Sequence, residues 1–308
     1  VETVETVKTV TQRSKIFDFC FVYPIMENYQ FLIKGYDYDR LGIGNILKCL
    51  ITALRINDDV KIRCIPEYMY GRYDTILESQ WIEDPSVSTT KEVVPIMTCR
   101  FNLLYTEEDI QEDLPNEETS IDPIHPTLFH WYFSKRKRID WWYDPSRVHP
   151  FVRDRILASL DKIKWKPIVG ETTERWHQAF ASNVSLGISI RTWTASHERD
   201  VNRPYSSEVY KGMIARVMEE HPEIQTFVLS VDHTHTHLEE YVIYLSTMYP
   251  SRSIVVLSAL PSLNPIQYAV TKAFTLARCH FVIGNRISTF TELIYWFGRC
   301  RPVMYPVF

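Results

Sequence analysis

The sequence predicts an α/β protein whose C-terminal half is a doubly wound parallel sheet, and two observations carry that prediction. Residues 186–232 read as a short apolar run, a polar loop, a segment of helical period and a second apolar run, which is the pattern of a βαβ unit. Beyond Trp176, candidate strands at 186–191, 226–231, 253–257, 281–283 and 302–305 alternate with candidate helices near 207–220, 237–249, 265–278 and 289–299. Strict alternation of that kind builds parallel sheets covered by helices. At 308 residues the chain can bury two cores, so two domains are expected.

The first dozen residues repeat a short Val-Glu-Thr unit that suits neither strand nor helix, and residues 1–13 are expected to form a linker or arm, as in one module of a longer polypeptide. Residues 14–165 make the expected N-terminal domain. It opens with apolar runs at 16–23 and 29–33, a loop containing Gly42-Ile-Gly-Asn45, a helix at 46–55 and a strand at 60–64. A further strand is expected at 97–104. The acidic stretch 106–120 reads as a solvated loop or lid, and the aromatic-rich stretch 127–142, with its basic residues 135–138, as a half-buried helix. A helix over about 150–163 leads into residues 164–170, the expected passage to the C-terminal domain, 166–308. Asn264-Pro265 supplies an N-cap followed by proline at the first helical position.

Composition narrows the function classes. A net charge of −4 argues against nucleic acid or an anionic membrane as the main partner. No apolar run approaches the ~18 residues a membrane helix needs, and no signal-peptide pattern opens the chain, so a cytoplasmic protein is expected. The six cysteines, at 20, 49, 64, 99, 279 and 300, lack C-x-x-C spacing and are expected as buried free thiols. The aromatic content of 13% suits amphipathic binding surfaces of the kind that sugars use.

Three clusters, and Asp232 besides them, fall at strand ends or helix starts, where α/β proteins bind ligands. Arg191, just past its strand, is a fixed cation suited to a diphosphate; a structural ion pair is the plain alternative. Asp232 follows the next strand and is an acceptor suited to a base edge or sugar hydroxyl. In the stretch 284–292, Ser288 or Thr289 would cap a helix whose amide end forms an anion pocket, although Ser-Thr-x-x-Glu is also an ordinary capping box. In Gly42-Ile-Gly-Asn45, Gly44 permits a tight turn or close approach and Asn45 is a donor; a turn plus an N-cap asparagine explains it equally. The run 232–237 carries three alternating histidines, read as a solvent-facing loop with no metal cage.

The combination and order of these motifs resemble the fucosyltransferases that use GDP-fucose, the α1,6- and protein-O-fucosyltransferase superfamily with the nodulation-factor enzymes. Gly-Ile-Gly-Asn45 is similar to that family's Gly-x-Gly-Asn segment, Ile-Ser-Ile-Arg191 to its phosphate-contacting strand motif, Val-Asp232 to its nucleotide aspartate, and Ser288-Thr289-Phe290 to its phosphate-binding stretch. The similarity covers about 30–56 and 184–300. Ser189 stands where many relatives carry His, and Thr192-Trp193 replaces the usual continuation, which leaves the donor sugar open.

The resemblance implies a GT-B architecture, two Rossmann-like domains facing a central cleft, and inverting transfer of fucose from GDP-fucose to a glycan hydroxyl without a metal or cofactor. It places Gly44, Asn45, Ser189, Arg191, Asp232, Ser288, Thr289 and Phe290 around the nucleotide sugar. The chain also lacks the Asp-x-Asp of metal-dependent transferases on a strand-ending loop. In the loop after Arg191, Glu198 is the expected general base, Asp200 the runner-up and His197 a third option. The rival readings are a different nucleotide sugar (xylose, galactose or rhamnose donor) on the same fold, and a non-catalytic glycan-binding module.

Overall fold

The computed structural model describes residues 29–34, 43–54, 57–64, 72–97, 150–192, 206–232, 235–258, 260–285 and 288–307. The expected arm 1–13, the run at 16–23, the acidic stretch and the aromatic-basic stretch lie outside them.

Among the described residues, the N-terminal half holds a small parallel sheet. Its strands are β1 (Tyr29–Lys34), β2 (Val60–Ile62) and β3 (Glu92–Met97), and helix α1 (Ile43–Ala53) connects β1 to β2. The order is β2-β1-β3, with Phe31 opposite both Val60 and Val94. α1 forms because Ile43, Ile46, Leu47, Leu50, Ile51 and Leu54 recur at helical spacing, and all are buried. It begins three residues before the expected start, which places Gly44 and Asn45 inside its first turn rather than in the preceding loop. The third strand lies at 92–97, where none was expected, and apart from Met97 the strand expected at 97–104 lies outside the described residues. Pro95 obscures it in the sequence, because proline is confined to strands with an unpaired side, and β3 stands at the edge of this sheet.

Helix α2 (Pro150–Lys162) matches expectation. The segment 164–170, expected as the passage between domains, is packed, and from Pro167 it is helical. Lys166 donates its N–H to Ile76 O at 2.8 Å, and Trp165 sits edge-on to Phe274 and Phe297. Helix α3 (Pro167–Gln178) starts with proline at its first turn.

The C-terminal sheet comprises β4 (Ser185–Ile190), β5 (Thr226–Val231), β6 (Ser253–Val256), β7 (Phe281–Asn285) and β8 (Val303–Val307). These strands are linked by α4 (Ser207–Glu220), α5 (His235–Met248), α6 (Pro265–Leu276) and α7 (Thr289–Phe297). All pairings are parallel and the order is β6-β5-β4-β7-β8. The α/β class with parallel sheets therefore holds in both halves. The chain winds outward from β4 to β6, then crosses back to β7, so its direction reverses between β4 and β7. Ligands of such sheets sit beyond the carboxyl ends of the strands at that reversal.

β4 is buried along its whole length. Leu186, Ile188 and Ile190 join the core under α4 and α5, while Gly187 lies against Leu276 and Cys279 on the opposite face. α6 carries the expected cap. Asn264 accepts from the Gln267 N–H at 2.9 Å, Gln267 returns the bond at 3.0 Å, and both side chains also reach Thr75 of the N-terminal half. One core runs through both halves, since Phe31, Leu47 and Ile51 share a buried cluster with Ile266, Leu293, Tyr295 and Trp296. Cys49, Cys64, Cys279 and Cys300 are free thiols, and burial pushes Cys279 up to about 12. No helix among the described residues is long and apolar enough to cross a membrane.

Candidate functional site

The two strands that flank the reversal deliver two of the expected clusters to one edge of the sheet. Ser189 of β4 is registered with Gly284 of β7 and with Ser230 of β5, one row before the strands end. Arg191 follows β4 directly, half-buried, and the start of α7 follows β7. The residue after β4 and the helix after β7 thus follow the ends of two adjacent strands.

Backbone anchoring holds Arg191 there. Its N–H donates to the Tyr210 hydroxyl at 3.1 Å, and that hydroxyl donates to Ser189 O at 3.3 Å. Tyr210 is buried and comes from α4, so the helix after the loop pins the strand end before it. The sequence gives little warning of this, because one tyrosine on an amphipathic helix reads as core.

Asp232 begins just past β5 and is committed locally. Its carboxylate accepts the Thr192 N–H at 3.1 and 3.0 Å and the Thr192 hydroxyl at 2.5 Å. The aspartate therefore clasps the segment that follows Arg191 and fixes how the chain leaves β4. Behind it lies Lys272, a lysine of α6 that the sequence reading passed over. Its ammonium donates to Val231 O at 3.0 Å and lies 4.3 Å from the Tyr268 ring. Burial pushes this amine down to about 8, and the Asp232 carboxylate opposes the shift. A lysine among the small and apolar side chains of Ala269, Val270 and Ala273, on the buried face of a helix, is the available signal.

At the start of α7, Ser288 is the N-cap, but its hydroxyl makes no capping bond; only its carbonyl accepts, from the Glu292 N–H at 3.1 Å. The capping-box alternative fails for a further reason. Glu292 sits one residue beyond the position a box requires, is buried, and forms an ion pair with Lys48 of α1 instead of turning back to the helix start. The first-turn amides of α7 are thus not closed by a serine–glutamate box and retain the positive end of the helix dipole.

The start of α1 reaches the same place. Gly44 packs so closely on Thr289 that an added Cβ would lie 2.6 Å from its hydroxyl oxygen and 2.8 Å from its backbone carbonyl carbon. Gly44 is thus required for close approach and not for a turn, since no glycine among the described residues has positive φ. Asn45 follows in the same turn of α1, its side chain outside the described set. Phe290, also half-buried, packs against the cores of both halves.

Glu198, Asp200, His197 and Gly42 lie outside the described residues. Of the histidine run, His235 and His237 belong to the first turn of α5 rather than to a loop, and His237 approaches Glu240 at 3.8 Å. Among the described residues no group of three or more metal-ligating side chains comes together.

No known family profile matches the chain, and no curated protein matches it. Among solved structures it is similar to the fucosyltransferase NodZ from Bradyrhizobium, at 13% identity and a TM-score of 0.47 over 86% of this chain and 92% of that one. It is also similar to NodZ alpha-1,6-fucosyltransferase soaked with GDP-fucose, at 14% identity and a TM-score of 0.47, covering 87% and 92%. A third similar structure is POFUT1 in complex with GDP-fucose, at 13% identity and a TM-score of 0.44, covering 90% and 98%.

Proposed function

We propose that this chain is a glycosyltransferase that transfers fucose from GDP-fucose to a glycan hydroxyl, with inversion and without a metal. The observation that carries the reading is the meeting of two helix starts, α1 at Gly44 and α7 at Thr289, at the reversal of the parallel sheet where β4 runs out into Arg191. Backbone amides at helix starts bind phosphate oxygens, and a guanidinium holds them in bidentate fashion. A diphosphate is the ligand that this arrangement fits. The order of the motifs along the chain supports guanosine and fucose as the rest of the donor.

In this reading residues 166–308 hold the nucleotide sugar and residues 14–165 present the acceptor. The acceptor hydroxyl oxygen attacks the anomeric carbon from the face opposite the diphosphate, and the bond from that carbon to the β-phosphate oxygen breaks as the new one forms. Glu198, or failing it Asp200, takes the hydroxyl proton. The negative charge that develops on the leaving diphosphate is stabilised by Arg191 and the amide ends, which are fixed before the reaction. The Asp232–Thr192 clasp and Tyr210 keep Arg191 in place.

The test is donor turnover. Incubation with GDP-fucose, GDP-mannose, UDP-galactose, UDP-xylose and dTDP-rhamnose, with release of the nucleoside diphosphate as readout, should show release from GDP-fucose alone. Turnover confined to the UDP-sugars would overturn the fucose assignment in favour of another donor on the same fold.

A further inference from the structure

Lys48 and Glu292 form an ion pair in a place where apolar side chains would be expected. Both residues are almost wholly buried, at 3% and 4% exposure, and their neighbours Leu47, Ile51, Leu293 and Trp296 belong to the core shared by the two halves. Burial pushes the Glu292 carboxyl up, and Lys48 opposes that shift. Desolvating two charges generally cancels their attraction, so a pair in such a site adds little stability over well-packed hydrocarbon. What it adds is direction, because an ammonium and a carboxylate must meet at particular atoms, whereas leucines tolerate rotation and sliding.

The position of the pair is informative. Lys48 lies four residues after Gly44 on α1, and Glu292 three residues after Thr289 on α7, so the ion pair sits one helical turn, about 5.4 Å, beneath the Gly44–Thr289 contact. The two helices therefore begin level with each other. Each start carries a partial positive charge, and bringing the two together is unfavourable unless something holds them. The glycine permits the approach, while the pair opposes the displacement that repulsion would favour.

We propose that Lys48 and Glu292 are positioning residues, locking the first turns of α1 and α7 in register so that the amide groups of both converge on one anion. The inference rests on the reading of that mouth as a diphosphate site. The pair needs no contact with the ligand. It acts through the helices, and because it joins residues from the two halves, it fixes the part of the site contributed by each.

The experiment compares the whole chain with Lys48→Met/Glu292→Met, which removes both charges and leaves the net charge unchanged. GDP and inorganic pyrophosphate are titrated calorimetrically at fixed ionic strength, with thermal unfolding and amide hydrogen exchange across residues 43–46 and 289–292 measured on the ligand-free protein. The expected result is a nearly unchanged Tm, GDP and pyrophosphate affinities lowered at least about tenfold, and faster exchange at both helix starts. Affinity within twofold of wild type, with exchange unchanged, overturns the proposal and leaves the pair as packing. Should the double methionine variant fail to fold, Lys48→Met/Glu292→Gln repeats the test with a polar group retained. If the unaltered protein binds neither GDP nor pyrophosphate, the diphosphate reading fails, and exchange at the two helix starts still decides whether the pair sets their register.

Discussion

Gly44 and Thr289, 245 positions apart in sequence, are in direct contact at the starts of two helices from opposite halves of the chain. The glycine's missing side chain is what admits the backbone of the second helix, so the contact links a local sequence choice to the geometry of the crevice mouth.

Gly44→Ala should destabilise the protein. Alanine improves helix propensity by up to about 1 kcal/mol, but the new Cβ meets a backbone carbon that cannot swing aside, and overpacking of this kind costs about 1–3 kcal/mol. Gly212→Ala, on α4 with nothing within 4 Å of the added atom, should stabilise by about 0.5–1 kcal/mol. Urea unfolding of the two variants gives opposite signs if close approach, and not helix propensity, governs residue 44.

Tyr210→Phe removes a buried hydroxyl that accepts from Arg191 and donates to Ser189. A loss of about 1–2 kcal/mol in unfolding free energy is expected, together with weaker GDP binding, since the strand end carrying Arg191 loses its anchor. Calorimetric titration of the folded variant separates the two effects.

Lys272 confers a pH dependence with a definite sign. The folded protein holds this amine at about 8, whereas the ordinary value of 10.5 applies when the chain unfolds. Between those values the unfolded chain binds more protons, so the group's contribution to stability is lost as pH falls through 8 and present above 10.5. The unfolding free energy of wild type minus that of Lys272→Met should rise by up to about 3 kcal/mol from pH 7.5 to 10.5. The difference is the quantity to measure, because buried Cys279 titrates with the opposite sign at the upper end of the range. Asp232→Asn, which removes the carboxylate opposing the shift, should move the Lys272 titration to still lower pH.

The C-terminal sheet was legible because its strands are short, continuous apolar runs bounded by polar loops, as expected of strands covered on both faces. The capped start of α6 was legible for a local reason, asparagine and proline at adjacent positions. Elements that depend on distant partners were not. β3 contains Pro95 and is recognisable only once it is known to lie at a sheet edge, and α3 carries Gly170, Thr172 and Thr173, weak helix formers whose helix is sustained by packing on α6. Gly44, Arg191, Asp232, Ser288 and Thr289 were singled out from strand ends and helix starts alone. The actual bonds of Asp232, and the pairing of Lys48 with a glutamate 244 residues away, needed the fold.

The most direct test of the central claim is calorimetric titration of GDP into the wild-type protein and Arg191→Ala in buffer containing a chelator. A diphosphate held by the guanidinium and the two helix starts predicts measurable GDP binding without divalent cations, and a tenfold to roughly hundredfold loss in the variant at unchanged Tm. Equal GDP affinity in the two folded proteins would contradict it.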